Sequence, residues 1–129
     1  MKIDEAFGVH EHALRLRAAR SEVLAANLAN ADTPGFRARD VDFAAMLRRE
    51  LPGTVTLAAT QPGHLGTETG AIPSRQLLFR NPTQPSIDGN TVDSVREQVA
   101  FSENAMQYQA SLRFLEGRIR SLLTAIKGD

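Results

Sequence analysis

The sequence predicts a mainly α-helical fold: two long terminal helices form a coiled-coil pair, joined by a Pro/Gly/Thr-rich middle with a short helix and possible short strands. Three observations carry this. Apolar content is 42%, but only 5% of residues are aromatic and there is no Trp, a composition that suits helix packing better than a sandwich. Charge is segregated, with 16 charged residues in positions 1–50, four in 51–90 and ten in 91–129. The middle stretch also holds five of the six Pro and five of the nine Gly, so it reads as irregular or β-like between two helical ends.

The first helix is expected from about Ala6 to Asn30, with Asp4 as its N-cap. Val9, Leu16 and Val23 recur every seven residues, flanked by Ala13 and Ala26; Leu14, Leu24 and Leu28 widen the apolar face. Thr33-Pro34-Gly35-Phe36 then places Pro and Gly at the central positions of a type II turn. After it, Asp40 or Asp42 is positioned to cap a short helix whose Phe43, Leu47 and Leu51 share one face, ended by Pro52-Gly53. Val55-Thr56-Leu57 and Gln76-Leu77-Leu78-Phe79 are candidate strands. Asp88-Gly89-Asn90 turns the chain into the last helix, expected over Thr91–Lys127 with Asn90 as N-cap and Asp93 at the third helical position. Within it Phe101, Ala105, Tyr108, Leu112, Leu115, Ile119, Leu122 and Ile126 step by fours and threes, a heptad seam. Val92, Val95, Val99 and Met106 form a second stripe offset around the helix, so contacts on more than one side are expected. The first helix is the shorter and cannot cover both. The whole is expected to be one domain over 1–129: helix and turn to 34, connecting segment 35–90, coiled-coil helix 91–129.

Little chemistry is encoded. Fifteen basic and fifteen acidic residues give no net charge, which argues against duplex nucleic acid as a partner, since such binders need a basic excess to displace counterions. No run approaches the ~20 apolar residues of a membrane span, and two acids among the first five residues do not suit a cleaved signal peptide. The absence of Cys removes disulfides, thiolate metal sites and thiol nucleophiles together. Phosphate loops, dinucleotide fingerprints and nucleophile elbows are missing, so no cofactor or small-molecule substrate is expected. His10 and His12, two apart on a helix, point to different sides and cannot chelate together, and His64 sits in a turn. Asp40 and Asp42 beside Arg37 and Arg39 read as a cap with local ion pairing rather than an acid/base pair. Arg113, Arg118 and Arg120, interleaved with Glu116, read as a solvated face. For Asn27 and Asn30 two readings stand: capping of the first helix, or hydrogen bonds across a helix interface that fix register.

The string Asn27-Leu28-Ala29-Asn30-Ala31-Asp32-Thr33-Pro34-Gly35-Phe36 resembles the N-terminal signature of bacterial flagellar rod and hook proteins. Three more segments resemble the proximal rod members of that family: Ala38-Arg39-Asp40-Val41-Asp42-Phe43, Pro85-Ser86-Ile87-Asp88-Gly89-Asn90-Thr91-Val92-Asp93, and Asn104-Ala105-Met106-Gln107-Tyr108-Gln109 before the seam. Phe36 stands where Tyr is frequent and Leu28 where Ile is frequent; both stay apolar. The resemblance implies a non-enzymatic structural subunit that is exported through the flagellar type III apparatus without a cleaved signal. It would assemble in the periplasmic rod of the basal body with copies of itself and with other rod, MS-ring and export-gate proteins. It would serve motility by transmitting torque between MS ring and hook. Asn27, Asn30, Thr33, Pro34, Gly35, Phe36, Arg39, Asp40, Asp42, Phe43, Asp88, Gly89 and Asn90 would set the angle at which the helices meet the connecting segment. Tyr108, Leu112, Leu115, Ile119 and Leu122 would meet neighbouring chains. A sibling rod subunit with the same first signature is the nearest alternative. A soluble helical-hairpin adaptor or chaperone, which would not need the Thr-Pro-Gly junction, is the other.

Overall fold

The computed structural model of the chain describes residues 3–50 and 77–128. Expected features at Leu51, Pro52-Gly53, Val55-Thr56-Leu57 and His64 lie outside the described residues. The elements run α1 (Ile3–Ala29), β1 (Arg39–Val41), α2 (Phe43–Glu50), β2 (Leu77–Phe79) and α3 (Ser94–Lys127). The two long helices lie antiparallel: Asn27 meets Glu97, Arg17 meets Asn104 and Gln107, and His10 meets Phe114. At 27 and 34 residues they are about 40 and 51 Å long. The longer helix therefore presents more side than its partner can cover.

Helix α1 begins at Ile3, so Asp4 lies inside it and is not the expected N-cap. Its C-terminal end carries no basic side chain in the last turn. The free carbonyls there are met by amides instead. Asn30 Nδ2 donates to Ala26 O at 2.8 Å, as the capping reading expects. From 60 residues on, buried Asn90 reaches the carbonyls of Asn30, Ala31 and Thr33 at 3.0, 2.7 and 2.9 Å, two hydrogens shared among three acceptors. The turn is as the sequence reads: Phe36 N donates to Thr33 O at 3.2 Å, and Gly35 takes the positive φ of 71° that a type II turn demands. Gly35 N donates to Asp88 O and Thr91 N to Phe36 O, at 2.8 and 3.0 Å, which seals this turn against the one at Asp88-Gly89-Asn90.

The last helix starts three residues later than expected. Asp93 is its N-cap, accepting from Val95 N and Arg96 N. Asn90 is displaced from that role because its Nδ2 is committed to α1, while its Oδ1 accepts from Val92 N at 2.7 Å. Gly128, left-handed at φ 75°, closes the C-terminal end by donating to Thr124 O. Helix α2 is capped by Asp42, whose carboxylate accepts from Ala45 N at 3.0 Å. Strand β2 forms where Leu77-Leu78-Phe79 predicts it. It pairs antiparallel with β1, a strand the sequence does not predict, which takes up Asp40, the other cap candidate; the register is Arg39–Phe79, Asp40–Leu78 and Val41–Leu77.

Among the described residues apolar burial is sparse: Leu16, Leu24, Ala38 and Val41 are buried, and so are the polar residues Asn27, Asn90, Glu97 and Asn104. A core with this much polarity depends on its hydrogen bonds being made. Asn90→Asp keeps the shape but removes the donor and sets a carboxylate against three carbonyls. It is expected to lower stability by about 2 kcal/mol, read as a lower urea midpoint. An unchanged midpoint would show that the α1 carbonyls do not need Asn90.

Candidate functional site

Two places carry the residues singled out from sequence: the junction where α1, both strands and the start of α3 meet, and the outer side of α3.

At the junction, Asn27 emerges from the last full turn of α1 and treats β1 as a neighbouring strand would. Its Oδ1 accepts from Arg39 N at 3.1 Å and its Nδ2 donates to Arg39 O at 2.7 Å. The same Nδ2 lies 3.2 Å from Glu97 Oε2 on α3. Of the two readings open for this residue, the cross-element one describes Asn27 and the local cap describes Asn30. Thr33 Oγ1 donates to Asn30 Oδ1 at 3.1 Å, and Thr91 Oγ1 accepts from Ala38 N at 2.8 Å, tying the segment after the turn to the approach to α3. In the second turn, Asp88 Oδ1 accepts from Ser86 Oγ and, at 3.0 Å, from Asn90 N. These bonds hold the exposed Asp88 carboxyl below its ordinary range.

The ion pairing of Asp40 differs from the local pattern expected. Asp40 accepts from Arg20 Nε and Nη2 at 3.0 and 3.2 Å, and from Arg80 Nη2 at 2.6 Å. Arg80 turns its other nitrogen to Glu97 Oε1. The strand alternation explains the change of partner: Asp40 lies on the face of β1 opposite Arg39 and reaches Arg20 and Arg80, while Arg37 and Arg39 lie over the Phe79 ring at 4.4 and 5.3 Å. The result is a balanced cluster of two guanidiniums and two carboxylates joining α1, β1, the residue after β2, and α3. Burial works against ionisation of Asp40, but hydrogen bonds from Arg20, Arg80 and Val41 N prevail and hold its carboxyl below the ordinary range. Arg20 is correspondingly raised, chiefly by its bond to Asp40. Alongside, the Arg17 guanidinium stands 4.3 Å over the Phe43 ring and donates to Gln107. Burial and the charge of Arg20 lower its pKa.

On α3 the expected seam is only half used inside the chain. Tyr108, Leu115 and Leu122 are half-buried, whereas Leu112 and Ile119 remain 39% and 45% exposed and Ile126 80%. Val95, Val99 and Met106 of the second stripe are exposed as well. The residues that meet α1 include Glu97 and Asn104; of these only Asn104 stands out in the sequence, as the first residue of the Asn104–Gln109 segment, and Arg17, Arg20 and Arg80 carry no sequence signal. Glu97 and Asn104 are seven residues apart and so share a face of α3, but both are polar, and an apolar heptad pattern marks neither. Among the described residues no group of three or more His, Asp or Glu could hold a metal ion, and no helix is long and apolar enough to cross a membrane. His10 rests against Phe114, ring centres 4.8 Å apart.

A family described as flagella basal body rod protein matches residues 7–37, most of α1 and the turn after it. The chain is 45% identical to the flagellar basal body rod protein FlgB of Escherichia coli K12 over 132 residues, 98% of this chain and 96% of the relative. It is 44% identical to that of Aeromonas hydrophila over 131 residues, covering 100% and 98% of the two chains. With that of Cereibacter sphaeroides it shares 47% over 122 residues, 95% and 94%.

Arg80→Ala leaves Glu97, 1% exposed, without its cation, and is expected to cost about 3 kcal/mol. Asp40, depressed in the folded state, contributes stability that is present above its unfolded value near about 4 and is lost as pH falls through the folded value. Asp40→Asn should therefore lower the urea midpoint at pH 6, with a gap to the parent that narrows below about pH 4. A gap that stays constant down to pH 2.5 would contradict the ionic account.

Proposed function

The chain belongs to the FlgB family of flagellar basal body rod proteins, and on that premise we propose that it is a structural subunit of the proximal rod. It polymerises through its terminal helices and links the MS ring to the outer rod and hook, passing torque along the axis. Its partners are copies of itself and other rod, MS-ring and export-gate proteins. It reaches the periplasm through the type III export apparatus.

The observation that supports this reading best is the outer side of α3. A 34-residue helix is paired on one side by α1, yet displays Leu112, Ile119 and Ile126 on one flank and Val95, Val99 and Met106 on another. Apolar stripes at helical spacing along so long an element fit helices of neighbouring chains. A rod needs contacts that are heterologous and do not close, so two different flanks suit it better than one self-complementary patch. The junction serves by holding α1, α3 and the β pair at fixed angles. Asn27, Asp40 and Asn90 are its fastening points, and Thr33, Pro34, Gly35, Phe36, Arg39, Asp42, Phe43, Asp88 and Gly89 shape the turns and caps around them.

Ile119→Asp and Leu112→Asp place a charge on the exposed half of the seam without touching the junction. Each is expected to abolish swimming in soft agar while the subunit is still recovered from the periplasmic fraction. Normal swimming by both would remove the seam from the assembly interface.

A further inference from the structure

Helix α3 does not offer α1 its most apolar face. Taking about 100° per residue, the stripe Glu97, Asn104, Ser111 lies about 60° around the helix from the middle of the seam Phe101–Ile126. Hydrophobic burial alone would centre α1 on that seam, where Leu112, Ile119 and Ile126 are instead left exposed. What lies against α1 is a buried carboxylate and a buried amide at 0% exposure, and half-buried Ser111 continues that stripe by helical spacing. Each of the first two has a partner that only this placement supplies. Glu97 takes Arg80 and Asn27. Asn104 Nδ2 donates to Arg17 O at 2.9 Å and Ser21 Oγ at 2.7 Å. Asn104 Oδ1 is buried with no protein partner among the described residues, a poor arrangement for stability.

We propose that Glu97 and Asn104 are face-selecting residues: they hold α1 on the polar stripe of α3 and thereby keep the adjoining apolar seam open for another chain. Rolling α1 onto the seam would break the bonds of Glu97 to Asn27 and of Asn104 to Arg17 O and Ser21 Oγ, and would set the polar groups that α1 presents there against apolar side chains. Those losses fix the rotation. The use of the open seam in assembly rests on the rod reading above; the choice of face does not.

The absence of Cys makes the test direct, because a single introduced thiol is the only reactive one. Ala105→Cys reports the open seam and Ser111→Cys the face against α1. In the otherwise native full-length chain the thiol at 105 is expected to react with a maleimide several-fold faster than that at 111. In the background Glu97→Leu/Asn104→Leu, α1 loses its polar hold on this face of α3 beyond the junction, and the ratio is expected to fall to parity or invert with helix content by circular dichroism retained. Neither change strands a partner: Arg80 keeps Asp40, Asn27 keeps the Arg39 backbone, and Ser21 keeps Arg17 O. Asn104→Leu alone should move the ratio part of the way. An unchanged ratio in both backgrounds would overturn the proposal, as would equal rates at the start. Loss of helix in both would assign the two residues to stability and overturn it too. Swimming enters none of these readouts, so failure of the rod reading is scored separately.

Discussion

Glu97 is the constraint on which the rest of the structure hangs. A carboxylate 1% exposed between two helices is tolerable only with a cation and hydrogen bonds at hand. Arg80, 17 residues upstream, provides the cation, and so β2 must end beside the start of α3. Arg80 then needs a second anion to balance Arg20 on α1, and Asp40 is that anion, which brings in β1. Asn27 completes the set by bonding both Glu97 and the outer edge of β1. Four segments distant in sequence are thus held by one neutral ionic cluster, in a molecule whose described apolar core is four residues wide.

Much of the fold was legible because its signals are local. The turn at Thr33-Pro34-Gly35-Phe36, the Asp42 cap, the β2 strand and the two long helices all follow from residues within a few positions of each other. What was not legible is long-range. Asn90 and Asp93 are both good caps, and only the α1 carbonyls, 60 residues away, decide that Asn90 is occupied elsewhere. Asp40 has Arg37 and Arg39 as sequence neighbours, yet alternation along a strand aims it at Arg20 and Arg80 instead. The rotation of α3 escaped periodicity analysis for a related reason: an apolar pattern locates a face that wants cover, not the one that a polar pair has claimed.

The hairpin of α1 and α3 consequently combines two kinds of interface. Inside, few apolar contacts and many directional bonds make one geometry much better than its neighbours. Outside, the uncovered stripes are non-directional and tolerate small adjustments of angle. In the rod assembly proposed above, that division would let each copy keep its shape while its contacts adjust to the lattice.

The ionic cluster also bears on how the chain acquires its structure. Its members sit at positions 20, 40, 80 and 97, so closing it requires a loop spanning most of the molecule. Contacts of such sequence separation form late, after the entropy of loop closure has been met. A nascent chain can build single helical turns early, but it has no way to settle until residues on both sides of the connecting segment are present together. Bringing together the whole stretch from Arg20 to Glu97, rather than any one part of it, is the event that commits the chain to the native shape.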